Sequence, residues 1–483
     1  MKYLFSFVLL ILMVLACGSR TGEPQNNTSQ KTNTVPENPN ISIQVDGFGA
    51  GPVYLIGFFA DSQYRVDSTG MDANGKVVFK NNSPYKPGFY MAYFDNDSTL
   101  QLLVDKDQTF SMKTQANDLV NSMVVEGSLD NQLLYETLNY ETGHQRKIQP
   151  ITSRLKDMEE TDLNYAYLKT QQEKIQQERR TYLDDVFSKN PNTFFTKFKR
   201  AGQNPIVSDT RGLDGTLDNA TKVHRFRTQF WDNVDFSDER LLYTPVIANK
   251  LKRYMTRLTT QHADSINKTA NHLVEKVLKY PEYFKFFANW ITLNYEPSKT
   301  TLMDSEAVYV NMIQNYFTHD RAFWSDSTLI DALQRRAGEM AASLVGKKGP
   351  NVVSTDVNGK TRSILELKAP YIIVFMYNPT CDHCIEETPK LVAFYEEWKD
   401  RGVDVFGIAI DTDDAEWRDY VAKSGMPWVN VFDPTNRSIY GKYYVDITPE
   451  IYVLDPDRTI IAKNLQVHQI AEVINKDRSK REE

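Results

Sequence analysis

A chain of 483 residues is long enough for about three domains and for cores that need no disulfide staples. Apolar residues at 41%, charged residues at 25% and aromatic residues at 12% are those of a folding globular protein and exclude extended disorder for its bulk. With 56 basic against 63 acidic side chains the formal charge is -7, which supplies no basic field to attract nucleic acid, and no nucleic-acid partner is expected.

The N-terminus reads as an export signal. Lys2 gives one positive charge, and the apolar run from Leu4 to Leu15 is shorter than the ~20 residues a membrane-spanning helix needs. The run closes on 14-VLAC-17, which resembles the bacterial lipobox; the resemblance implies that residues 1–17 are a lipoprotein signal and that Cys17 is the lipid attachment site. Several acyl chains together would hold such a protein at a membrane, where one alone is marginal. The competing reading is an ordinary signal peptide that contains a cysteine. Residues 18–40, rich in Asn, Thr and Pro with no apolar periodicity, read as a flexible tether.

From 41 to 128 the apolar period is two. ISIQV (41–45), PVYLIGFF (52–59), KVVFK (76–80), FYMAYF (89–94), TLQLLVD (99–105) and TFSMKT (109–114) are predicted strands, separated by Gly, Asn, Asp and Pro clusters. They predict a small antiparallel β-sandwich or open barrel with no legible catalytic constellation. From 129 to 345 the period becomes helical. Met158, Tyr165, Leu168, Ile175, Tyr182 and Val186 predict one long amphipathic helix, further stripes run from Ile247 to Leu258 and from Leu329 to Leu344, and 281-PEYFKFFANWITLNY-295 begins with Pro at a first helical position. His224, His262, His272 and His319 lack metal-ligand spacing. An all-helical accessory domain is expected.

Gly346 to Pro350 breaks the last helix, and residues 346–483 read as a third domain. Asn358-Gly359 supplies residues suited to positive φ in a tight hairpin. The run 371-YIIVFMY-377 is apolar without alternation, as a strand buried on both faces must be. A helix holding Cys381 and Cys384 follows, then the strand 403–410, a helix across 414–425, strands at 450–455 and 459–462, and a last helix near 467–475. That order is a thioredoxin-like α/β fold, so the whole chain is a multidomain α+β protein. With Cys17 assigned to lipid, Cys381 and Cys384 can pair only with each other or with another molecule; in an exported protein such a lone pair is more often redox-cycling than structural.

The stretches 346-GKKGPNVVSTDVNGKTRSILEL-367, VFMYNPTCDHCIEETPKL, 410-IDTD-413, Trp428 and 446-DITPEIYVLD-455 resemble the TlpA/ResA-like thiol-disulfide oxidoreductases, relatives of the alkyl hydroperoxide reductase and thiol-specific antioxidant group. The resemblance covers about 345 to 475. It implies a thioredoxin fold, a redox-active Cys381-Cys384 disulfide in place of any cofactor, substrate proteins with disulfides, and a membrane electron-donor protein that keeps the pair reduced.

Disulfide exchange needs one exposed, acidified thiol and a second that resolves the mixed disulfide. Cys381, at a helix N-terminus whose backbone N–H groups lower a thiol pKa, is the expected nucleophile, and Cys384, one turn later, the resolving thiol. His383 stands where its ring could stabilise the Cys381 thiolate, which would make the couple more oxidising, whereas the family resemblance points to a reductase; Asp382 opposes the histidine. A solvated His383 is the plainer alternative, and a metal site of Cys381, His383 and Cys384 lacks further ligands. Glu387 matches the glutamate the family places near its cysteines and would take the Cys384 proton if burial raised its pKa; otherwise it is a surface carboxylate beside Glu386. Pro449, after Thr448, resembles the family's cis-proline loop, whose backbone pairs with extended substrate. Many relatives carry Trp immediately before the first cysteine where this chain has Thr380, which puts substrate docking in doubt, and the Pro-x-x-x-Thr-x-x-Cys loop of the related peroxidases is absent. A lipid-anchored binding protein, whose β and helical regions capture a partner, and a disulfide oxidase or isomerase stand as the alternatives to an envelope reductase.

Overall fold

The computed structural model describes residues 38–208, 218–436 and 441–482. Cys17, the export signal and most of the tether lie outside the described residues.

Eight strands open the described chain: β1 (Asn40–Asp46), β2 (Gly51–Phe59), β3 (Ser62–Met71), β4 (Lys76–Lys80), β5 (Gly88–Phe94), β6 (Thr99–Val104), β7 (Thr109–Gln115) and β8 (Val124–Glu126). They form two four-stranded sheets, ordered β4-β1-β7-β8 and β3-β2-β5-β6. Ile41, Ile43 and Val45 turn inward along β1 while their neighbours face out, the alternation a one-sided sheet requires. One pairing departs from the expected antiparallel pattern. β1 and β7 run parallel, because the chain leaves the first sheet for the second between them and returns instead of turning in a hairpin. β3 was not expected at all: its residues are polar and mostly exposed, and it exists by pairing along β2 at the sheet edge across a bulge near Leu55.

Nine α-helices follow among the described residues: α1 (Leu129–Lys156), α2 (Tyr165–Lys189), α3 (Phe194–Ala201), α4 (Asn219–Gln229), α5 (Pro245–Arg257), α6 (Ala263–Val277), α7 (Pro281–Asn294), α8 (Ser305–Tyr316) and α9 (Ser327–Met340). The predicted long helix begins at Tyr165 and not at Met158, which lies in the turn between α1 and α2; the two helices fold back on each other and stack Tyr140 on Tyr182 at 3.7 Å. Sandwich and helices share one continuous apolar core from Ile41 to Met340. Phe89 of β5 stacks on Phe198 of α3 at 5.6 Å, and Phe59 meets Tyr243 at 5.0 Å. Arg240 ties the same seam by an ion pair to Asp105 at 2.7 Å. The change of apolar period near residue 128 therefore marks a change of secondary structure inside one packed unit.

The C-terminal part is a seven-stranded sheet made of β9 (Val353–Asp356), β10 (Thr361–Ser363), β11 (Tyr371–Tyr377), β12 (Val403–Ala409), β13 (Val429–Phe432), β14 (Glu450–Leu454) and β15 (Ile460–Ala462), ordered β10-β9-β13-β12-β11-β14-β15. β11, β12 and β13 are parallel and β14 is antiparallel to β11. Every residue of β11 is buried. Tyr371, Ile373, Phe375 and Tyr377 face a core that also contains Leu391 of α10 (Asp382–Trp398), Trp417 of α11 (Asp414–Ser424) and Ile474 of α12 (Ile470–Glu482), while Ile372, Val374 and Met376 face a second core with Tyr443 and Tyr452. In the β9–β10 hairpin only Gly359 takes positive φ, at 78°; Asp356 instead caps the loop by accepting from the N–H groups of Asn358 and Lys360.

Candidate active site

The site sits where β11 ends and α10 begins. Asn378, the first residue past the strand, makes the turn: its side-chain oxygen accepts from the N–H and the hydroxyl of Thr380, both at 2.8 Å, and its amide nitrogen donates to the Asp411 carbonyl at 3.0 Å. This turn delivers Cys381 to the N-cap of α10, where its carbonyl accepts from Ile385 N–H at 3.0 Å. The first N–H groups of the helix are then left to face its sulfur.

Both cysteines are free thiols, in unlike surroundings. Cys381 is partly exposed. Burial by itself would push its thiol up, but the backbone N–H groups of Cys384 and His383, the Thr448 side chain and the Cys384 thiol outweigh that, and the net direction is down. Cys384 is fully buried beneath it. Loss of hydration pushes its thiol up to about 12, despite a 3.4 Å hydrogen bond from Asn378 N–H. The two thiols are thus distinguished by burial and by the free end of one helix. Opposite them, the Thr448–Pro449 peptide is cis, and the Thr448 carbonyl accepts from Cys381 Sγ at 3.2 Å.

Two expected roles are not supported by the geometry. The His383 side chain is 80% exposed and its Nδ1 lies 3.9 Å from Glu386, so what His383 offers the Cys381 sulfur is its backbone N–H and not its ring. Glu387 is turned away from the resolving thiol: Oε1 accepts from Lys390 at 2.7 Å and Oε2 from Val467 N–H at 3.2 Å. Burial raises its pKa, yet these two donors and the Lys390 charge bring it below the usual carboxylate range, the reverse of what a base for a high-pKa thiol needs. Asn378 and Tyr420 are the residues that reasoning from the sequence passed over. Tyr420 donates to the Cys384 carbonyl at 3.2 Å, and Thr388 donates to the same oxygen at 2.7 Å. Asn378 carried a legible signal, a turn-forming Asn-Pro pair directly after a buried strand; Tyr420, 36 residues from Cys384, carried none. Among the described residues no group of three or more His, Cys, Asp or Glu is placed to hold a metal ion.

Residues 345–463 match the profile of the AhpC/TSA family. That match takes in the cysteine pair and all seven strands of the C-terminal sheet. Within it, the chain is 26% identical over 117 residues to the thiol-disulfide oxidoreductase ResA of Bacillus anthracis, covering 24% of this chain and 67% of the relative, and 28% identical over 121 residues to ResA of Bacillus cereus, covering 25% and 68%. Among solved structures it is similar to a domain of a possible thiol-disulfide isomerase from Cytophaga hutchinsonii, at 32% identity, TM-score 0.28, over 30% of this chain and 99% of that one. It is also similar to a thioredoxin-like protein from Bacteroides caccae, at 17% identity, TM-score 0.46, over 56% and 99%. Residues 40–134 match a domain of unknown function, DUF4369. The AhpC/TSA domain of this chain is thioredoxin-like and of the TlpA/ResA kind, and the protein is a thiol-disulfide oxidoreductase.

Proposed function

We propose that the protein is a lipid-anchored enzyme of the bacterial cell envelope that reduces disulfides in substrate proteins. The Cys381 thiolate attacks one sulfur of a substrate disulfide, forming a mixed disulfide and expelling the other sulfur as a thiolate. Cys384 then loses its proton and attacks Cys381 Sγ, releasing the second substrate thiol and leaving the enzyme disulfide, so that two electrons pass to the substrate. A membrane electron-donor protein would restore the dithiol, and Cys17 would supply the anchor. Among the described residues no helix is long and apolar enough to cross a membrane.

The observation that carries the direction is the solvent-facing ring of His383. A strongly oxidising couple needs its reduced form held by a much-acidified thiolate, and among the described residues the groups that hold it here are helix N–H groups and the Thr448 and Cys384 side chains. Ile447, 61% exposed and next to Thr448, offers an apolar contact to an extended substrate segment beside the cysteines. The test is the equilibrium redox potential of the Cys381–Cys384 pair in graded thiol buffers. A value at or below thioredoxin's, about -270 mV, supports a reductase, whereas one near about -120 mV, as for DsbA, means an oxidant and overturns the proposed direction.

A further inference from the structure

The loop that brings Thr448 and Pro449 to Cys381 is gripped at both ends by the helical region. Before the loop, Arg336 of α9 donates from Nε to the Tyr444 hydroxyl at 2.7 Å and lies 3.8 Å from the Asp446 carboxylate. Arg336 is itself braced by Glu296 at 3.1 Å, and Tyr444 packs against the core shared by sandwich and helices. Beyond the loop, the side chain of Glu450 is buried with Lys463. The Lys463 ammonium stands 4.0 Å from Glu450 and 3.3 Å from Glu306 of α8, and lies 4.9 Å from the centre of the Tyr452 ring. Asn464 donates to both Glu306 oxygens, at 2.9 and 3.2 Å.

This cluster is out of water. Lys463 is fully buried and Asp304, Glu306 and Glu450 are each 6% exposed or less. Three carboxylates face one ammonium, and one oxygen each of Glu450 and Asp304 finds no protein hydrogen-bond partner. Loss of hydration pushes Glu450 up to about 8, with Lys463 and Tyr452 pulling down and Glu306 and Asp446 pushing up. The same cause takes Asp304 to about 7, where Lys463 and the Val345 N–H oppose it and Glu306 and Asp264 add to it. A buried lysine is tolerable only while its counter-charges stay in place, and Glu306 belongs to the other domain. Glu450, two residues after Thr448, is held in the sheet opposite Met376 of β11, and its side chain meets the helical region through Lys463.

We propose that the helical region clamps the Thr448–Pro449 loop through Arg336 and Glu306, and thereby sets the reactivity of the Cys381 thiolate. Arg336 and Glu306 are positioning residues, acting through the loop that holds the Thr448 hydrogen-bonding groups against Cys381 Sγ. With Tyr444 and Glu450 both fixed, the five residues between them cannot carry Thr448 away from the sulfur. The carbonyl bond at 3.2 Å holds the protonated thiol while the Thr448 side chain favours the thiolate, so when the loop is released both contacts loosen and the reactivity of Cys381 changes. The clamp rests on Cys381 being the attacking thiolate.

The test measures the rate of Cys381 alkylation by iodoacetamide from about pH 5 to 9, mapped by peptide mass spectrometry on the full chain and on Arg336→Met and Glu306→Gln, with Tm alongside. Both variants should displace the profile and change the Cys381 rate about three- to tenfold below its midpoint, the range that one neutral hydrogen bond spans. Gln334→Ala is the control, since that side chain bonds only the Ile313 and Phe317 carbonyls inside the helical region. The control should lower Tm and leave the profile unmoved. Unchanged profiles in both clamp variants overturn the proposal, as does a Gln334→Ala shift of equal size at equal loss of Tm. Should Glu306→Gln fail to fold, the charge-balanced Glu306→Gln/Lys463→Met pair takes its place under the same two outcomes. A wild-type chain in which Cys384 reacts first overturns the assignment of the nucleophile instead, so the two failures are distinct.

Discussion

The division of labour between the two thiols predicts a measurable ratio of reactivity. Cys381 lies below the ordinary thiol value of 9.0 and Cys384 is pushed up to about 12, so at least three pH units, 12 less 9, separate them. At neutral pH the thiolate fraction of Cys381 then exceeds that of Cys384 by about a thousandfold or more. A more basic thiolate is intrinsically the better nucleophile, and a Brønsted slope of about 0.4–0.5 over three units returns roughly 15- to 30-fold of that advantage to Cys384. The net preference for Cys381 is about 30- to 60-fold from ionisation alone, and the complete burial of Cys384 can only enlarge it. The assay is a time course with limiting iodoacetamide at pH 7 on the reduced protein, quenched in acid, with each cysteine peptide quantified. Modification of Cys384 at more than about a tenth of the Cys381 rate would refute the reasoning, because neither the burial of one thiol nor the N–H groups facing the other would then govern the chemistry.

The other predictions concern charges near that pair. Since its ring faces solvent beside Glu386, His383→Ala should leave the redox equilibrium within about twofold, and a displacement of tenfold or more in the dithiol–disulfide ratio would restore the imidazole as a tuning group. Glu450→Gln should stabilise the fold at neutral pH. The folded pKa of Glu450 is raised to about 8 from an ordinary 4.5, so its carboxyl costs nothing below about pH 4.5 and progressively more as the pH climbs towards 8. The variant's advantage should grow across that window to about 1–3 kcal/mol at pH 7 and level off above pH 8, and urea midpoints showing a constant or inverted difference would remove Glu450 from the cost.

What could be read from the sequence was what depends on near neighbours along the chain. A strand buried on both faces must be apolar throughout, so 371-YIIVFMY-377 was visible, and two thiols separated by two residues after it had to share one helical turn. β3 was hidden because a polar edge strand is made by its pairing with β2, which leaves no period of its own. Ring direction at His383 and the partners of Glu387 were hidden for a related reason: position on a helix says which turn a side chain occupies, not which of several nearby donors it takes, and one of the two donors to Glu387 is a backbone N–H 80 residues away.

Glu450 shows most clearly where local reading stops. Standing first in an otherwise apolar strand, it reads as a polar residue at a strand end, bound for water. The ammonium nearest it, Lys463, is shared with Glu306 of the helical region, 144 positions earlier by the numbering (450 less 306). Within the C-terminal domain Lys463 stands 4.0 Å from Glu450, and its shorter contact, 3.3 Å, is to Glu306 of the helical region, so the buried ammonium keeps a counter-charge from each side. The shared ammonium is thus physical grounds for regarding the two regions as packed together, with Arg336 of the helical region bonded to Tyr444 just ahead of the Thr448–Pro449 loop.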